Sequence, residues 1–205
     1  MVEATPAELI LASASPARRE LLRAAGLAFR VEPSRIDEPA LRQKLLLEPD
    51  TATPSRIAAE LAFAKARQVS SDRGRALVIG ADQVLNINGK ILPKPREVGE
   101  ARAMLMELRG RTHHLHTTVA LAGAGDIVWS HSETASLTVR PFSEAFLEDY
   151  LARLGTRACN SPGGYEIESL GIQLFERIEG DYFAILGLPL LPLLAELRSR
   201  GFLAD

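Results

Sequence analysis

The chain has few cysteines, no long apolar run and little net charge, and each scarcity excludes a class of protein. Cys159 is the only cysteine among 205 residues, which excludes an internal disulfide and favours a reducing compartment. The longest apolar stretch, 184–197, contains two prolines and a glycine and is too short to span a bilayer. The run 9–14 is too short for a signal peptide, and arginines follow it. We therefore expect a cytoplasmic protein that has no membrane partner.

The formal net charge is only −2, which lacks the basic surplus that binding to a nucleic acid polymer requires. A local basic pocket for one triphosphate is still compatible with this balance. Apolar residues make up 46% and charged residues 24%, as in ordinary globular proteins. The length suits a single domain over residues 1–205 that is built from two lobes.

Helix and strand patterns alternate along the chain, with hairpins among the strands, and predict an α/β fold with a mixed sheet. Ser15-Pro16 and Thr53-Pro54 predict the first turns of two helices. The apolar run 76–81 predicts a buried central strand that ends at Asp82, and Asn88-Gly89 predicts a hairpin turn. The segment 33–53 is predicted to be irregular, with a helical turn around 41–47. Strands are predicted at 171–177 and at 182–186.

A candidate phosphate site lies where the first strand leads into the first helix, at Ser13-Ala14-Ser15-Pro16-Ala17-Arg18-Arg19. The free N–H groups and dipole of a helix N-terminus meet two hydroxyls and two cations there, a combination that binds phosphate. An ordinary cap followed by two solvated arginines is the alternative. Because cations oppose the dipole at a helix N-terminus, the arginines favour an anionic partner.

Acidic residues and lysines further along the chain are candidates for metal and phosphate binding. Asp82 follows the most hydrophobic strand, a position where open α/β sheets place ligands. Asp37-Glu38 would join it in binding Mg²⁺, which needs few carboxylates because it keeps waters and takes phosphate oxygens. Lys65, in a predicted helix, and Lys94, between two prolines, are candidate point charges for phosphate. Taken singly, each is better explained as a turn cap, a solvated loop residue or a surface lysine.

Three histidines close together, His113, His114 and His116, do not form a predicted zinc site. On a strand only His114 and His116 share a face, and no cysteine or carboxylate ligand accompanies them.

These motifs, in this order, resemble those of the Maf family of nucleotide pyrophosphatases over nearly the whole chain. The order of six motifs makes the resemblance specific, although no single one is decisive. The matching stretches are residues 9–16 with Arg18, Lys65, residues 80–84, Lys94-Pro95, residues 108–113 with Thr117, and residues 163–190.

The resemblance implies an elongated, two-lobed Maf/ITPase-like architecture, with a mixed twisted sheet, flanking helices and a central cleft, often as a homodimer. It implies house-cleaning hydrolysis of a nucleoside triphosphate between the α- and β-phosphates, with a divalent metal, Mg²⁺ or Mn²⁺. Asp82 and Glu38 would be the catalytic residues and metal ligands. The triphosphate would be held by five residues: Ser13, Ser15, Arg18, Lys65 and Lys94.

Three positions differ between subgroups of the family and bear on the base. They hold arginine, threonine and glutamine in the thymidine/uridine-type group, and tryptophan, glutamine and glutamate in the 7-methylguanosine-type group. This chain has Ala17, Gln83 and Glu168, of which the last two match the second group. A carboxylate accepts both donors on the Watson–Crick edge of guanine, whereas a pyrimidine imide offers one. The expected substrate is therefore 7-methyl-GTP, and Ala17 is the departure, because alanine cannot stack on a cationic base.

Other functions stay open from the sequence. Within the enzyme class, the alternative is a dTTP/UTP-type or broad pyrophosphatase. A nucleotide-binding regulator, of septum formation as the resemblance to the family suggests, is an alternative of another class, although a pure binder needs no metal carboxylates. A structural interaction module would leave the ordered polar motifs unexplained.

Overall fold

The computed structural model describes residues 8–48 and 52–204, which form a mixed α/β fold. Within these ranges the strands are β1 (Leu9–Leu11), β2 (Arg30–Val31), β3 (Leu77–Ile87), β4 (Lys90–Leu92), β5 (Thr112–Gly123), β6 (Asp126–Val139) and β7 (Phe175–Glu179). The helices are α1 (Pro16–Ala24), α2 (Glu38–Leu46), α3 (Pro54–Ser71), α4 (Val98–Leu108), α5 (Glu144–Leu154), α6 (Tyr182–Ile185) and α7 (Leu190–Ser199). Short 3₁₀ segments cover Gly155–Cys159, Pro162–Gly164 and Leu170–Leu174.

The strands form one sheet in the hydrogen-bonded order β2-β1-β3-β5-β6-β7, with β4 paired to β3. β1 is parallel to β2 and β3, whereas β4 runs antiparallel to β3 and β7 antiparallel to β6. The predicted mixed sheet with flanking helices is thereby confirmed. No helix in the described part of the chain is long and apolar enough to cross a membrane.

The chain divides into two compact units. The first comprises the described residues up to 82, residues 117–133 and the described residues from 182 onwards. The second comprises residues 83–116 and 134–181. The single domain with two lobes around a cleft stays a prediction.

The core of the first unit packs helices on both faces of β1 and β3. Leu11 and Ile79 lie in one apolar cluster with residues of α1 and α7. Ile10 and Val78, the alternate residues of the same strands, lie in a second cluster with Val69 of α3. A parallel strand pair that is covered on both faces has near-continuous apolar sequence, as the run 76–81 predicted.

Local capping signals are confirmed at the starts of two helices. The Oγ atom of Ser15 accepts a hydrogen bond from Arg18 N at 3.4 Å, and Oγ1 of Thr53 accepts one from Arg56 N at 3.2 Å. The hairpin at Asn88-Gly89 is also confirmed, because both residues have positive φ angles of 50° and 81°. That combination is the backbone of a tight two-residue turn between antiparallel strands.

Other sequence predictions were wrong in whole or in part. The strand predicted to end at Asp82 continues to Ile87, because a buried partner compensates the carboxylate and apolar residues follow it. In the stretch 33–53, of which 49–51 lie outside the described residues, the helical turn predicted around 41–47 is confirmed, but it belongs to a longer helix, α2, at whose N-cap Asp37 Oδ1 accepts from Ala40 N. The segment predicted as a strand at 182–186 is the short helix α6. A brief apolar run does not distinguish the periodicity of a helix from that of a strand. Of the strand predicted at 171–177, the first part is 3₁₀ helix and β7 begins at Phe175.

Candidate active site

A buried lysine joins two carboxylates in the first unit. Lys65 Nζ lies 2.7 Å from Asp82 Oδ1 and 3.0 Å from Glu38 Oε1. The side chains of Lys65 and Asp82 are 8% and 7% exposed, whereas that of Glu38 is 42% exposed. The group therefore extends from the protein interior towards solvent at Glu38, as a site that admits an anionic substrate requires.

The contact between Lys65 and Asp82 depends on a glycine in β3. Gly80 and Asp82 lie two residues apart and so share one face of the strand. A Cβ atom at Gly80 would lie 2.8 Å from Ala66 Cβ and from Ala66 N, and closer still to the Ala62 carbonyl oxygen. Helix α3 thus packs against the strand at a separation that only glycine permits. Because Lys65 lies on the same helical turn as these two alanines, its ammonium reaches Asp82.

The second oxygen of Asp82 has no partner. Among the residues that the structure describes, Asp82 Oδ2 and His113 Nδ1 are the buried side-chain atoms without a hydrogen bond. A buried acceptor left unpaired costs about 1–3 kcal/mol. A carboxylate oxygen in that state has its lone pairs available for a cation, a water molecule or a donor of a ligand.

The donor set fits a magnesium or manganese ion that binds together with a triphosphate. No group of three or more His, Cys, Asp or Glu side chains suited to a metal occurs within 8–48 and 52–204, so these residues form no complete set of metal ligands. Mg²⁺ commonly takes one or two carboxylates and completes its shell with waters and phosphate oxygens. Asp82, through its unpaired Oδ2, and the half-exposed Glu38 are the residues that would hold it.

Arg18 ties three parts of the first unit together. Its Nε donates to the Gly187 carbonyl at 2.7 Å, and its Nη1 donates to the Ala81 carbonyl at 2.8 Å and to Ser13 Oγ at 3.2 Å. Burial lowers the pKa of this guanidinium, and the charges of Asp82 and Glu38 act in the opposite direction. The residue is therefore buried and oriented by the protein, unlike the solvated first-turn arginine that the sequence left as the alternative.

The two serines lie at the start of α1, beside Arg18. Ser13 Oγ also accepts from Ser15 N at 3.2 Å, and Ser15 caps the helix. Ala17 is half-buried on the first turn. The first unit thus brings together six of the residues predicted to act in catalysis and phosphate binding: Ser13, Ser15, Arg18, Glu38, Lys65 and Asp82.

The remaining predicted residues belong to the second unit. Gln83 follows Asp82 on β3 and is half-buried, and Lys94 lies exposed between Pro93 and Pro95 after β4. Glu168 is exposed, in the segment between two 3₁₀ helices.

Two glutamates in this segment differ in their surroundings. The Glu166 carboxylate pairs with Arg157, and its side chain is 12% exposed. The Glu166 carbonyl accepts from Ser169 N at 3.2 Å and from Gly171 N at 3.1 Å, which folds the chain into a tight turn. Glu168 lies within that turn, and its side chain is exposed to solvent.

Sequence reasoning missed the contact between His113 and Tyr165. His113 Nε2 lies 2.7 Å from Tyr165 Oη, and both side chains are buried in the second unit. The available signal in the sequence is that His113 lies on the opposite face of its strand from His114 and His116.

Comparison with known proteins gives a consistent set of relatives. A family model described as Maf-like protein matches residues 8–200. A 7-methyl-GTP pyrophosphatase of Rhizobium meliloti (strain 1021) is 50% identical over 193 residues, which cover 94% of this chain and 96% of the relative. A nucleoside triphosphate pyrophosphatase of Caulobacter vibrioides has the same identity and the same coverage. Among solved structures, a HAM1 protein from Coxiella burnetii aligns with a TM-score of 0.41 and 17% identity, over 65% of this chain and 73% of its own.

Proposed function

This chain belongs to the Maf family, and we propose that, as a nucleoside triphosphate pyrophosphatase, it hydrolyses 7-methyl-GTP to the monophosphate and pyrophosphate. The observation that carries the proposal is the buried Lys65–Asp82 pair, with Glu38 beside it and Asp82 Oδ2 unpaired. The names of relatives at 50% identity support both the reaction class and the substrate.

The residues of the first unit supply the charges that phosphoryl hydrolysis needs. Lys65 holds one oxygen of Asp82 and keeps the other directed away from itself, free to act as metal ligand or as proton acceptor from the attacking water. The hydrogen bonds of Arg18 use Nε and Nη1, which leaves Nη2 for a phosphate oxygen. The N-terminus of α1, with Ser13 and Ser15, offers further donors.

Asp82 and Glu38 would hold Mg²⁺ or Mn²⁺, which stabilises the charge that develops on the phosphate oxygens. Lys94, on its proline-flanked segment, is the further cation that we assign to the triphosphate.

The base is read by Glu168 with Gln83. The exposed Glu168 carboxylate accepts from both donors of a guanine edge, whereas uracil and thymine direct carbonyl oxygens at it. When the bound base covers the carboxylate and excludes water from it, such a mismatch costs about 1–3 kcal/mol, or roughly ten- to a hundredfold in kcat/KM.

Ala17 favours a second candidate substrate range. Its methyl group cannot stack on a methylated, cationic base. A broader pyrophosphatase that also accepts dTTP or UTP is therefore the second candidate.

The test is pyrophosphate release from 7-methyl-GTP, GTP, UTP and dTTP by the wild type and by Glu168→Gln. We expect the wild type to prefer the guanine nucleotides and the variant to shift towards UTP and dTTP. Glu176→Gln, which changes another exposed glutamate of the second unit, is the matched control and keeps the wild-type ranking. A wild type that prefers UTP or dTTP, or a Glu168→Gln variant with an unchanged ranking, contradicts the assignment of the base.

We also assign the enzyme to the cytoplasm, where the free nucleotide pool is, and to a homodimer, as the family resemblance implies. Size-exclusion chromatography with light scattering measures the molar mass and so tests for the homodimer. A monomer at micromolar concentration contradicts that assignment.

A further inference from the structure

The second unit contains a buried polar pair that the hydrolytic chemistry does not use. His113 lies on β5 with no exposed surface, and Tyr165 is 3% exposed. Their hydrogen bond, 2.7 Å between Nε2 and Oη, joins the sheet to the segment that carries Glu168. A buried hydrogen bond of this kind fixes the geometry of both partners, because leaving either unpaired is costly.

Both members of the pair are neutral near pH 7. Burial, with a smaller contribution from His114, lowers the pKa of His113 to about 4. Burial raises the pKa of Tyr165 above its ordinary value. The contact is therefore a hydrogen bond between neutral groups.

Further contacts hold Tyr165 at the start of the turn. Its ring packs edge-on against Phe175, with centroids 4.9 Å apart, and its carbonyl accepts from Ser161 Oγ. A Cβ atom on Gly163 would lie 2.9 Å from Cδ1 of the same ring. The Gly164 carbonyl accepts from Tyr150 Oη at 3.3 Å. The backbone on the N-terminal side of Glu168 is thereby fixed through Tyr165.

On the C-terminal side of the turn, Gly171 packs against the backbone of Glu166. A Cβ atom at Gly171 would lie 2.8 Å from the Glu166 N and C atoms, so the turn requires glycine there. Arg157 holds the Glu166 side chain. Glu168 is therefore an exposed carboxylate on a short turn whose two ends are buried, and its direction depends on how those ends are held.

We propose that His113 and Tyr165 are positioning residues for Glu168: their hydrogen bond orients the turn so that the carboxylate meets the base, and it thereby sets base selectivity. The inference rests on the proposed base-reading role of Glu168. It assigns the pair no part in hydrolysis, which the first unit's lysine and carboxylates perform.

The test compares Tyr165→Phe with the wild type on 7-methyl-GTP and UTP. Loss of the hydroxyl removes one buried hydrogen bond, and we expect the ratio of the two kcat/KM values to fall by about 3- to 10-fold. The change should arise mainly in the KM for 7-methyl-GTP, with kcat near that of the wild type. Tyr182→Phe, at a half-exposed tyrosine on α6, is the matched control and leaves the ratio unchanged.

A double variant separates positioning from general damage. In the Glu168→Gln background, Tyr165→Phe should cause no further change in the ratio, because the group that it orients has been altered. A folded Tyr165→Phe variant that lowers kcat/KM equally for both substrates, or not at all, overturns the inference. If it folds poorly, His113→Gln takes its place under the same criteria.

The outcome for Glu168→Gln alone distinguishes the two proposals. If that substitution shifts the ratio and the changes at Tyr165 or His113 do not, only the positioning role fails. If it leaves the ratio unchanged, the base-reading proposal fails, and the positioning role fails with it.

Discussion

Gly80→Ala tests whether the close packing of α3 on β3 places Lys65 beside Asp82. The added Cβ would lie 2.8 Å from Ala66 Cβ and N and closer still to the Ala62 carbonyl oxygen. Ordinary contact begins near 3.4 Å, so the helix must withdraw by at least about 0.6 Å. Lys65 is carried by the same helical turn and would withdraw with it.

The expected effect has two parts. Overpacking of a filled interior typically costs about 1–3 kcal/mol of unfolding free energy. A displacement approaching 1 Å in a catalytic group can lower the rate by about 100-fold, and we expect kcat to fall by about 10- to 100-fold.

The assay pairs urea unfolding with steady-state pyrophosphate release. Gly123→Ala is the control, since a Cβ at this strand glycine meets nothing within 4 Å, and it should retain both stability and kcat. Wild-type stability together with wild-type kcat in Gly80→Ala would refute the idea that this separation positions the lysine.

Two further predictions follow from charges in the structure. Pyrophosphate release should require added Mg²⁺ or Mn²⁺ and vanish in excess chelator, because Asp82 and Glu38 are carboxylates that repel a triphosphate unless a divalent cation lies between them; full activity after metal removal would contradict this. The pKa of His113 is lowered to about 4 in the folded protein, while an unfolded histidine has a pKa near 6.5. The unfolded state therefore binds the extra proton, so the histidine lowers the unfolding free energy as the pH falls from about 6.5 to about 4, by about 3 kcal/mol. In His113→Gln this decrease in unfolding free energy with falling pH should disappear. If urea titrations between pH 7 and pH 4 give the two proteins the same dependence of unfolding free energy on pH, the histidine is not responsible.

Local signals in the sequence were sufficient to predict where two helices begin and where one hairpin turns. The caps at Ser15 and Thr53 and the turn at Asn88-Gly89 involve residues within three positions of one another, so the pattern contains the whole interaction. The prediction of a strand at 182–186 was wrong because the four residues of α6 span little more than one helical turn. That is too few residues for a helical or strand periodicity to show in the sequence.

Long-range contacts limited the prediction of the site. Lys65 and Asp82 were named separately, and their contact depends on how closely α3 approaches Gly80, which no local pattern shows. The strand was predicted to end at Asp82 because a buried charge needs a partner that the sequence does not reveal. The sequence also does not show how Arg18 is held, because its acceptors at Ala81 and Gly187 lie 63 and 169 residues away.

The most direct test of the account is pyrophosphate release by Asp82→Asn with Mg²⁺ and 7-methyl-GTP. The amide keeps the shape of the side chain, and Glu38 still faces Lys65, so we expect a folded protein whose kcat is lower by at least about 100-fold. Asp126→Asn, at an exposed aspartate of β6, should behave as the wild type. A folded Asp82→Asn variant that releases pyrophosphate at the wild-type rate would contradict the assignment of Asp82 as the catalytic carboxylate.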